Sequence, residues 1–378
     1  MKFNNKKLFI VVNVDWFFLS HRLPIALAAK EKGYDVTIVS FNSGKKEEIL
    51  SYGLNFIDLP FERSGSNVFH ELKCVLLLVQ LYKKYKPDVI HHVTLKASLL
   101  GCLACKLAGN KNVVNAISGF GYNFTSGRKT LLQRTVLLSI KLAFKSKSFF
   151  FILQNPDDKK QLENFSVANP NNIVLIKGSG VDLNSYSFSL EPDDKIIKIL
   201  FPARVLYDKG IVEFISAAKS IKDSIKKDVL FIIAGDCDSE NLASMPESKL
   251  KSLLEKNYIE WIGFQKNIFE TMKSSHIIVL PSYREGLPKS LIDACAVGRP
   301  IITTNAPGCR ECVINGENGF LVPAKNVDQL AKKIQILIEK KDLRVEMGKK
   351  GRQLAENEFS IENVIEKTLR VYEKIMER

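Results

Sequence analysis

The sequence predicts an α/β fold made of two doubly wound parallel sheets, and three observations lead to this prediction. Short runs of β-branched and apolar residues alternate with segments of helical period along almost the whole chain. The alternation stops at a polar, turn-rich stretch, residues 178–194, and then restarts. The length of 378 residues suits two or three domains.

Seven strand segments precede the turn-rich stretch, at residues 8–14, 35–40, 55–59, 88–92, 112–117, 149–153 and 173–176. The longest helical patterns between them are residues 68–85 and 130–144. Six strand segments follow the stretch, at residues 198–201, 229–234, 259–262, 276–280, 300–304 and 320–322, and the last fifty residues are helical.

This order of elements predicts the organisation of the chain. We expect a first Rossmann-like domain at residues 1–185, a second at 186–360, and a final helix at 361–378 that packs back towards the first domain. The two domains should face each other across a cleft. Ligands should bind there, because the carboxyl ends of parallel strands form the binding edge of such sheets.

Composition and charge limit the classes of function. A hydrophobic fraction of 46% excludes a disordered chain. The net charge of +14 calls for an anionic partner, which can be nucleic acid, a phosphorylated substrate or an acidic membrane. No apolar run approaches the roughly 18 residues that span a bilayer, and the N-terminus lacks the pattern of a signal peptide. We therefore expect a cytoplasmic protein.

The seven cysteines do not suggest a disulfide framework, because their number is odd and small for this length. Cys102/Cys105 and Cys309/Cys312 have the spacing of metal ligands. The first pair falls in an apolar helical pattern, where small buried thiols are the simpler interpretation. We expect no metal site.

Two cations follow the first strand of the second domain. Arg204 and Lys209 lie five residues apart on the loop that opens the next helix. An arginine fork, a lysine charge and the free N–H groups of a helix N-terminus suit a diphosphate. By itself this spacing is more typical of a solvated surface.

Two carboxylates follow the strand at residues 276–280. Glu285 precedes a turn formed by Gly286 and Pro288, and Asp293 lies eight residues after Glu285 on the next helix. The loop acid can reach hydroxyls of a ligand, and the helix acid lies about two turns further along. Together they suit a sugar at one end of a ligand and a ribose at the other, with chance carboxylates as the alternative.

Six motifs of the second half occur in a recognisable order: Arg204/Lys209-Gly210, Ala234-Gly235-Asp236, 281–288 (PSYREGLP), 298–301 (GRPI), 306–311 (APGCRE) and 315–322 (NGENGFLV). With these motifs the chain resembles family 4 retaining glycosyltransferases of the GT-B fold. The resemblance covers nearly the whole chain and is looser in the first half.

The resemblance implies a reaction. A sugar is transferred from a nucleoside-diphosphate donor, with UDP the first candidate, with retention of anomeric configuration and without a bound metal. Glu285, Lys209 and Arg204 would be the catalytic residues. Metal independence is compatible with the two cations, because Arg204 and Lys209 can neutralise the leaving diphosphate in place of a metal ion.

The resemblance also implies donor contacts. In the family's pattern Glu285 contacts hydroxyls of the donor sugar, while Gly286 and Leu287 present backbone N–H groups to sugar or phosphate. The base would lie near Gly263 and Phe264, held mostly by backbone.

Two positions depart from the family's pattern. A second Glu usually binds the ribose hydroxyls, and this chain has the shorter Asp293 in its place. We keep the ribose contact for Asp293. Many members also place a His near the reacting sugar after the strand at 112–117, where this chain has Ser118, so that role is not carried over.

The first domain is expected to bind the acceptor. The candidates for acceptor or phosphate contacts follow its predicted strands and are Asp15, His21, Arg22, Lys96, Gly119 and Tyr122. A structural interpretation of the earliest candidates carries equal weight, because Ser20 can cap a helix and Pro24 can begin one. His92 is more simply structural. Relatives with the run at residues 119–122 usually act on lipid-diphosphate-linked acceptors.

A basic segment suggests a membrane surface. Residues 101–150 contain eight Lys or Arg and no acidic residue. Between residues 127 and 147 these cations alternate with leucines in a helical pattern, which can lie on an anionic membrane. A core-facing helix with a solvated basic side is the alternative. We expect peripheral attachment to the inner face of the membrane.

Three functions remain open. The leading hypothesis is a peripheral membrane enzyme that adds a hexose or N-acetylhexosamine from a nucleotide sugar to a lipid-diphosphate-linked glycan. A GT-B UDP-sugar epimerase, which needs no acceptor, is the second. A nucleic-acid-binding protein, suggested only by the charge, is the third, and it lacks a recognition helix or an aromatic platform.

Overall fold

The computed structural model describes residues 5–61, 68–120, 131–239 and 241–377, without the side chains of 131–136. The chain forms two compact units. The first contains Met1–Ser179 and Ile361–Arg378, and the second is Gly180–Ser360. The boundary thus falls before the predicted one at residue 186.

The turn-rich stretch belongs to the second unit and is not a free linker. The buried guanidinium of Arg299 donates to the carbonyl oxygens of Ser189 and Leu190, at 2.7 and 3.0 Å. Glu191 accepts two hydrogen bonds from Arg344, at 2.8 and 2.9 Å, and both side chains are buried. These contacts fix the polar stretch to the unit that follows it, which explains the earlier boundary.

The first unit contains strands β1 (Lys6–Val14), β2 (Tyr34–Phe41), β3 (Asn55–Asp58), β4 (Val89–Val93), β5 (Val113–Ile117), β6 (Phe150–Leu153) and β7 (Ile173–Leu175). Its helices are α1 (Asp15–His21), α2 (Leu23–Glu31), α3 (Lys46–Ser51), α4 (Val68–Tyr85), α5 (Leu95–Ala108), α6 (Leu131–Phe144), α7 (Pro156–Asn164) and the C-terminal α14 (Ile361–Met376). The strands form one parallel sheet in the order β3-β2-β1-β4-β5-β6-β7.

This sheet has an apolar core on each face, which is why its strands are continuous apolar runs. Helices α4 to α7 cover one face. Helices α1 to α3 cover the other, together with α14, which contributes Val364, Leu369 and Tyr372 to the core. The C-terminal helix is therefore part of the first unit.

The second unit contains strands β8 (Ile197–Pro202), β9 (Val229–Ala234), β10 (Ile259–Gly263), β11 (Ile277–Leu280), β12 (Ile301–Thr304) and β13 (Gly319–Val322). Its helices are α8 (Ile211–Ile221), α9 (Glu247–Leu253), α10 (Ile268–Lys273), α11 (Lys289–Val297), α12 (Val327–Glu339) and α13 (Lys341–Leu354). The sheet is parallel, in the order β10-β9-β8-β11-β12-β13.

The predicted fold class is confirmed, since each of the thirteen predicted strand segments overlaps a strand of the two sheets. In each sheet the chain order reverses at one place, between β1 and β4 in the first unit and between β8 and β11 in the second. The carboxyl ends of the strands at such a reversal form a crevice where ligands bind. No described helix is long and apolar enough to cross a membrane.

Candidate functional site

The reversal in the second sheet brings Lys209 and Glu285 together. Lys209 is on the loop after β8, and Glu285 is on the loop after the neighbouring β11. The ammonium of Lys209 forms an ion pair with Glu285 Oε1, and the hydroxyl of Ser282 donates to the same oxygen at 2.6 Å. Both charged side chains are partly buried, with 20% and 12% of their surface exposed. The pair is therefore held in place and still open to a ligand.

The backbone locks the two loops together. Tyr283 donates from its N–H to the carbonyl oxygen of Asp208 at 2.9 Å, and the hydroxyl oxygen of Ser282 lies 3.1 Å from the same carbonyl oxygen. Gly210 follows Lys209 with φ of 79°, and a Cβ at Gly210 would lie 2.2 Å from the carbonyl oxygen of Pro281. Only glycine allows the loop after β8 to approach the loop after β11 this closely.

Arg204 does not join this pair. Its guanidinium lies 2.5 Å from Asp238 Oδ2, and its side chain is 46% exposed. Asp238 follows β9, and sequence reasoning missed it. Its position just beyond a strand of the parallel sheet was the signal that could have identified it.

The two cations of the site are balanced by acids. Lys209 is paired with Glu285 and Arg204 with Asp238. A third carboxyl, Asp208, lies next to Lys209 in sequence, and its Oδ1 is buried with no hydrogen-bond partner among the described residues. Burial raises the pKa of Asp208, the negative charge of Glu285 adds to that effect, and Lys209 opposes it. The cluster therefore holds positive charge in place without a strong local excess of it.

The predicted base-binding segment ends β10. Gly263 has φ of 66°, and the N–H of Phe264 donates to Asp236 Oδ1 at 2.8 Å. The ring of Phe264 is 71% exposed. An exposed aromatic ring at a strand end offers a flat apolar surface to a planar ligand. Gly286 and Leu287, by contrast, are buried directly after Glu285.

Asp293 is occupied by a neighbour in the structure. It lies on α11, is 3% exposed, and accepts hydrogen bonds from Lys289 at 2.7 and 2.9 Å. Burial raises the pKa of Asp293, and the charge of Lys289 opposes that shift. A ribose contact would require this ion pair to open, so the ribose contact stays a prediction.

The first unit does not present Asp15 to a ligand. Asp15 begins α1 and is completely buried. Its two oxygens accept hydrogen bonds from the N–H groups of Trp16, Ser43 and Lys45 and from the hydroxyl of Ser43, at 2.5 to 3.0 Å. In the observed conformation the carboxylate of Asp15 holds the loop after β2, and a ligand contact of Asp15 stays a prediction.

Two further candidates after β1 also have structural environments. Arg22 is 4% exposed between α1 and α2, and it donates to the carbonyl oxygen of His21 at 2.9 Å. The ring of His21 stacks on Phe17 at 4.2 Å between centroids. Ser20 donates to carbonyl oxygens within α1 and does not cap a helix, whereas Pro24 begins α2 as expected. Arg22 is buried in this conformation, and its contact with acceptor or phosphate stays a prediction.

The remaining candidates follow β4 and β5. Lys96 is in the first turn of α5 and lies 2.5 Å from Glu71 of α4. Gly119 is on the loop after β5, and Tyr122 lies outside the described residues. His92 is buried, bonded to Tyr82 at 3.0 Å and to Asn115 at 2.9 Å, which fits the structural interpretation.

Metal-ligand spacing in the sequence does not produce a metal cluster in the described residues. No three His, Cys, Asp or Glu side chains of that part of the chain are placed to share an ion. Both cysteine pairs, Cys102/Cys105 and Cys309/Cys312, are buried thiols. Metal independence of the reaction stays a prediction.

Family comparisons decide the class of the protein. Residues 7–155 match the family described as Glycosyl transferase 4-like, and residues 182–354 match the family described as Glycosyl transferases group 1. The chain is a glycosyltransferase of these families. The resemblance predicted from the motifs of the second half is thereby confirmed, and it extends to the first.

The glycosyltransferase is similar over nearly its full length to two bacterial enzymes. One is the N,N'-diacetylbacillosaminyl-diphospho-undecaprenol alpha-1,3-N-acetylgalactosaminyltransferase of Campylobacter jejuni, 28% identical, with 95% of this chain and 98% of that protein covered. The other is the UDP-Gal:alpha-D-GlcNAc-diphosphoundecaprenol alpha-1,3-galactosyltransferase of Escherichia coli, 26% identical, with 90% and 89% covered.

The solved structure of Anabaena HepE in complex with UDP has the same fold. It superimposes on this glycosyltransferase with a TM-score of 0.78 at 18% identity, covering 98% of this chain and all of that one. The predicted GT-B class is confirmed by this likeness. At this level of identity the likeness concerns the fold and not the substrate.

Proposed function

We propose that this glycosyltransferase moves a hexose or N-acetylhexosamine from a nucleoside-diphosphate sugar, with UDP as the first candidate, to a lipid-diphosphate-linked glycan. The product would enter a surface polysaccharide. The observation that carries the proposal is the Lys209–Glu285 ion pair, fixed by Ser282 at the chain reversal of the second sheet. The names of the relatives, which specify diphospho-undecaprenol acceptors and, in one case, a UDP-sugar, support the choice of substrates.

The cations suit the leaving group of this reaction. A diphosphate gains negative charge as the bond to the sugar breaks, and cations fixed at that point stabilise the charge as it develops. Lys209 and Arg204 are positioned at the crevice by their ion pairs with Glu285 and Asp238. The phosphate oxygens would replace these carboxylates as partners of the cations. The reaction would then need no metal ion to neutralise the diphosphate.

Glu285 suits the sugar. A carboxylate accepts hydrogen bonds from vicinal hydroxyls, and Ser282 holds Glu285 Oε1 in a fixed position. When a diphosphate binds Lys209 in place of Glu285, the carboxylate of Glu285 can accept hydrogen bonds from the hydroxyls of the donor sugar. One ion pair thus prepares both halves of the donor site.

Retention of anomeric configuration belongs to the proposal through the family resemblance. In a retaining transfer the acceptor attacks the face of the sugar that the leaving group departs from. The donor diphosphate then lies close to the acceptor hydroxyl and can take up its proton. The described residues of the second unit's crevice supply cations for the diphosphate, which fits this division of roles.

The acceptor would bind to the first unit. Its carboxyl edge carries Lys96 and Gly119 after β4 and β5, and its outer helices carry the basic segment. Lys141, Lys145 and Lys147 are exposed, as are Leu138 and Leu142. A helix with this composition fits the headgroup region of an anionic membrane. We therefore place the enzyme at the cytoplasmic membrane face, where a lipid-linked acceptor is available.

The test is a donor panel. Radiolabelled UDP-sugars are incubated with undecaprenyl-diphosphate-linked monosaccharides in detergent, and the anomeric configuration of the product is determined by NMR. We expect label in the lipid fraction for one donor, with the configuration of that donor kept. A UDP-sugar that stays free and changes its own configuration would instead identify an epimerase. Salt-sensitive DNA binding without donor binding would overturn the proposal.

A further inference from the structure

Helix α4 has an unusual outer face. Its buried residues, Cys74, Val75, Leu78 and Tyr82, pack into the core of the first unit. The opposite face begins with four exposed apolar side chains, which we call the α4 apolar patch: Val68, Phe69, Leu72 and Leu76, with 76, 85, 55 and 53% of their surface exposed. Phe69, Leu72 and Leu76 follow the helical repeat and form one row. A solvated helix would carry polar residues there.

The same face becomes basic towards its C-terminal end. Lys73, Lys83 and Lys84 are exposed on α4. The one acidic residue of the helix, Glu71, forms an ion pair with Lys96 at 2.5 Å. An apolar row next to exposed lysines is the pattern of a helix that inserts apolar side chains below anionic headgroups.

The patch lies at the carboxyl edge of the first sheet. Helix α5 begins directly after β4, with Thr94 accepting from the N–H of Ala97 at its start. The ion pair between Glu71 and Lys96 joins the first turn of α4 to that of α5. The exposed apolar row therefore starts beside the strand ends where the acceptor is proposed to bind.

The positive charge of helices α4 to α6 and their connections favours an anionic partner. Residues 68–150 contain thirteen Lys or Arg and two acidic residues. The second acid, Asp88, accepts from the N–H of Lys7 at 2.8 Å and is also held by Lys6. Helices α4, α5 and α6 cover the same face of the sheet, and α6 adds exposed Leu138, Lys141 and Leu142. A second copy of this chain would bring equal positive charge to the contact, whereas an anionic bilayer attracts it.

We propose that the α4 apolar patch inserts into an anionic bilayer and holds the carboxyl edge of the first sheet against the membrane. The proposal deepens the proposed function, since it gives the lipid-linked acceptor a direct route to this edge. It differs from attachment by the basic segment alone, because insertion contributes an apolar term that salt does not screen.

The first test is vesicle sedimentation of the full chain. The variant Phe69→Ser/Leu72→Ser/Leu76→Ser is compared with Leu190→Ser/Leu242→Ser/Ile314→Ser, which removes exposed apolar side chains of the second unit. On vesicles of phosphatidylethanolamine and phosphatidylglycerol we expect the patch variant to bind at least about tenfold more weakly than the wild type. The control variant should bind like the wild type. Equal binding of all three proteins would overturn the proposal.

The second test measures insertion directly. When bound to these vesicles, Leu72→Trp should show a blue shift of its tryptophan fluorescence and quenching by brominated acyl chains. Both changes are measured relative to the wild type, whose fluorescence comes from Trp16 and Trp261. Bound protein without quenching would overturn insertion. Loss of a dimer in the patch variant during sedimentation velocity, with unchanged vesicle binding, would instead make the patch a contact between copies.

The vesicle-binding result and the result of the donor panel can be interpreted separately. The patch variant should transfer sugar to a short-chain, water-soluble diphosphate acceptor at the wild-type rate, because Phe69, Leu72 and Leu76 are not among the residues assigned to donor or acceptor contacts. If the wild type transfers sugar from none of the donors but the patch variant still binds vesicles more weakly than the wild type, the proposed function is refuted and the proposed membrane patch is supported. If sugar transfer occurs but the wild type and the patch variant bind vesicles equally, only the proposal for the patch is refuted and the proposed function is kept.

Discussion

The two units share one topology but use the carboxyl edge of their sheets differently. In the second unit, charged side chains at the strand ends are partly exposed and meet each other, as Lys209 and Glu285 do. In the first unit the charged residues at the equivalent edge have structural tasks: Asp15 holds a loop and Arg22 is buried. The charge of the first unit is on its outer helices instead. The same fold can thus carry its charge either in a few side chains at the strand ends or over a broad outer surface.

The distribution of charge follows this division. Residues 1–190 carry +12 of the total of +14. The second half is close to neutral, and each cation of its crevice is matched by a carboxylate. Net charge therefore points to the proposed membrane surface and gives no information about the proposed donor site.

The largest effect should come from Glu285→Gln. Because Glu285 is proposed to hold the donor sugar, kcat should fall by about 100- to 1000-fold. UDP binding should not weaken, since the change also removes a carboxylate that competes with the phosphates for Lys209. Steady-state kinetics and UDP calorimetry separate the two effects. Glu255→Gln is the control, because Glu255 forms a surface ion pair with Lys222 in the same unit. A wild-type kcat for Glu285→Gln would refute the proposed contact between Glu285 and the donor sugar.

The next effect should come from the first unit. Lys141→Glu/Lys145→Glu/Lys147→Glu should lower binding to phosphatidylglycerol vesicles by about a hundredfold, because each basic residue near the surface contributes about 1 kcal/mol. Turnover with a water-soluble acceptor should be unchanged. The control reverses three exposed lysines of the second unit, Lys226, Lys256 and Lys349. Unchanged sedimentation with vesicles would refute the basic membrane surface.

Asp15→Asn tests the structural side of the comparison. The carboxamide cannot accept all of the hydrogen bonds made to Asp15, so buried N–H groups lose their partner, and we expect a loss of about 2 to 4 kcal/mol in unfolding free energy. The KM for the acceptor should change by less than about twofold. Denaturant unfolding and acceptor titration measure the two quantities. A normal stability with a raised KM would return Asp15 to the acceptor site.

The smallest expected effect is on the unfolding free energy at acidic pH. Burial lowers the pKa of His92 to about 4, and the hydrogen bond with Asn115 opposes that shift. The folded chain therefore keeps His92 neutral, while the unfolded chain takes up a proton as pH falls below about 6.5. Stability contributed by neutral His92 is full above that pH and is lost between about 6.5 and 4, by about 2 kcal/mol near pH 5.

His92→Gln should have a flatter dependence of unfolding free energy on pH than the wild type over that range. His276→Gln is a control in the second unit, where burial also lowers the pKa of the imidazole. It should remove its own part of the slope and leave that of His92. A wild-type stability that does not change between pH 7 and pH 5 would contradict the burial of a neutral His92.

The fold could be predicted from the sequence because continuous apolar runs and helical periods are strong local signals. The extent of the second unit could not, since it depends on buried contacts of Arg299 and Arg344 with a polar segment far away in sequence. Polar composition alone suggested a linker there.

The candidate site could be predicted in part. Lys209 and Glu285 were found because recurrent motifs surround them, and the structure places them in contact. Asp238 and Ser282 were missed, because their importance lies in which side chain they reach and not in their own pattern. Asp15 directly follows a strand, as a ligand contact would, and the sequence does not show that its carboxylate holds the loop after β2.

The proposed function requires that the crevice of the second unit binds a nucleoside diphosphate through Lys209. Calorimetric titration of UDP into the full chain measures this binding, with Lys209→Ala compared with Lys222→Ala, which removes the lysine of the surface ion pair. We expect UDP to bind the wild type and Lys222→Ala with equal affinity, and Lys209→Ala at least about tenfold more weakly. Equal affinity of UDP for all three proteins would refute a nucleotide site at Lys209.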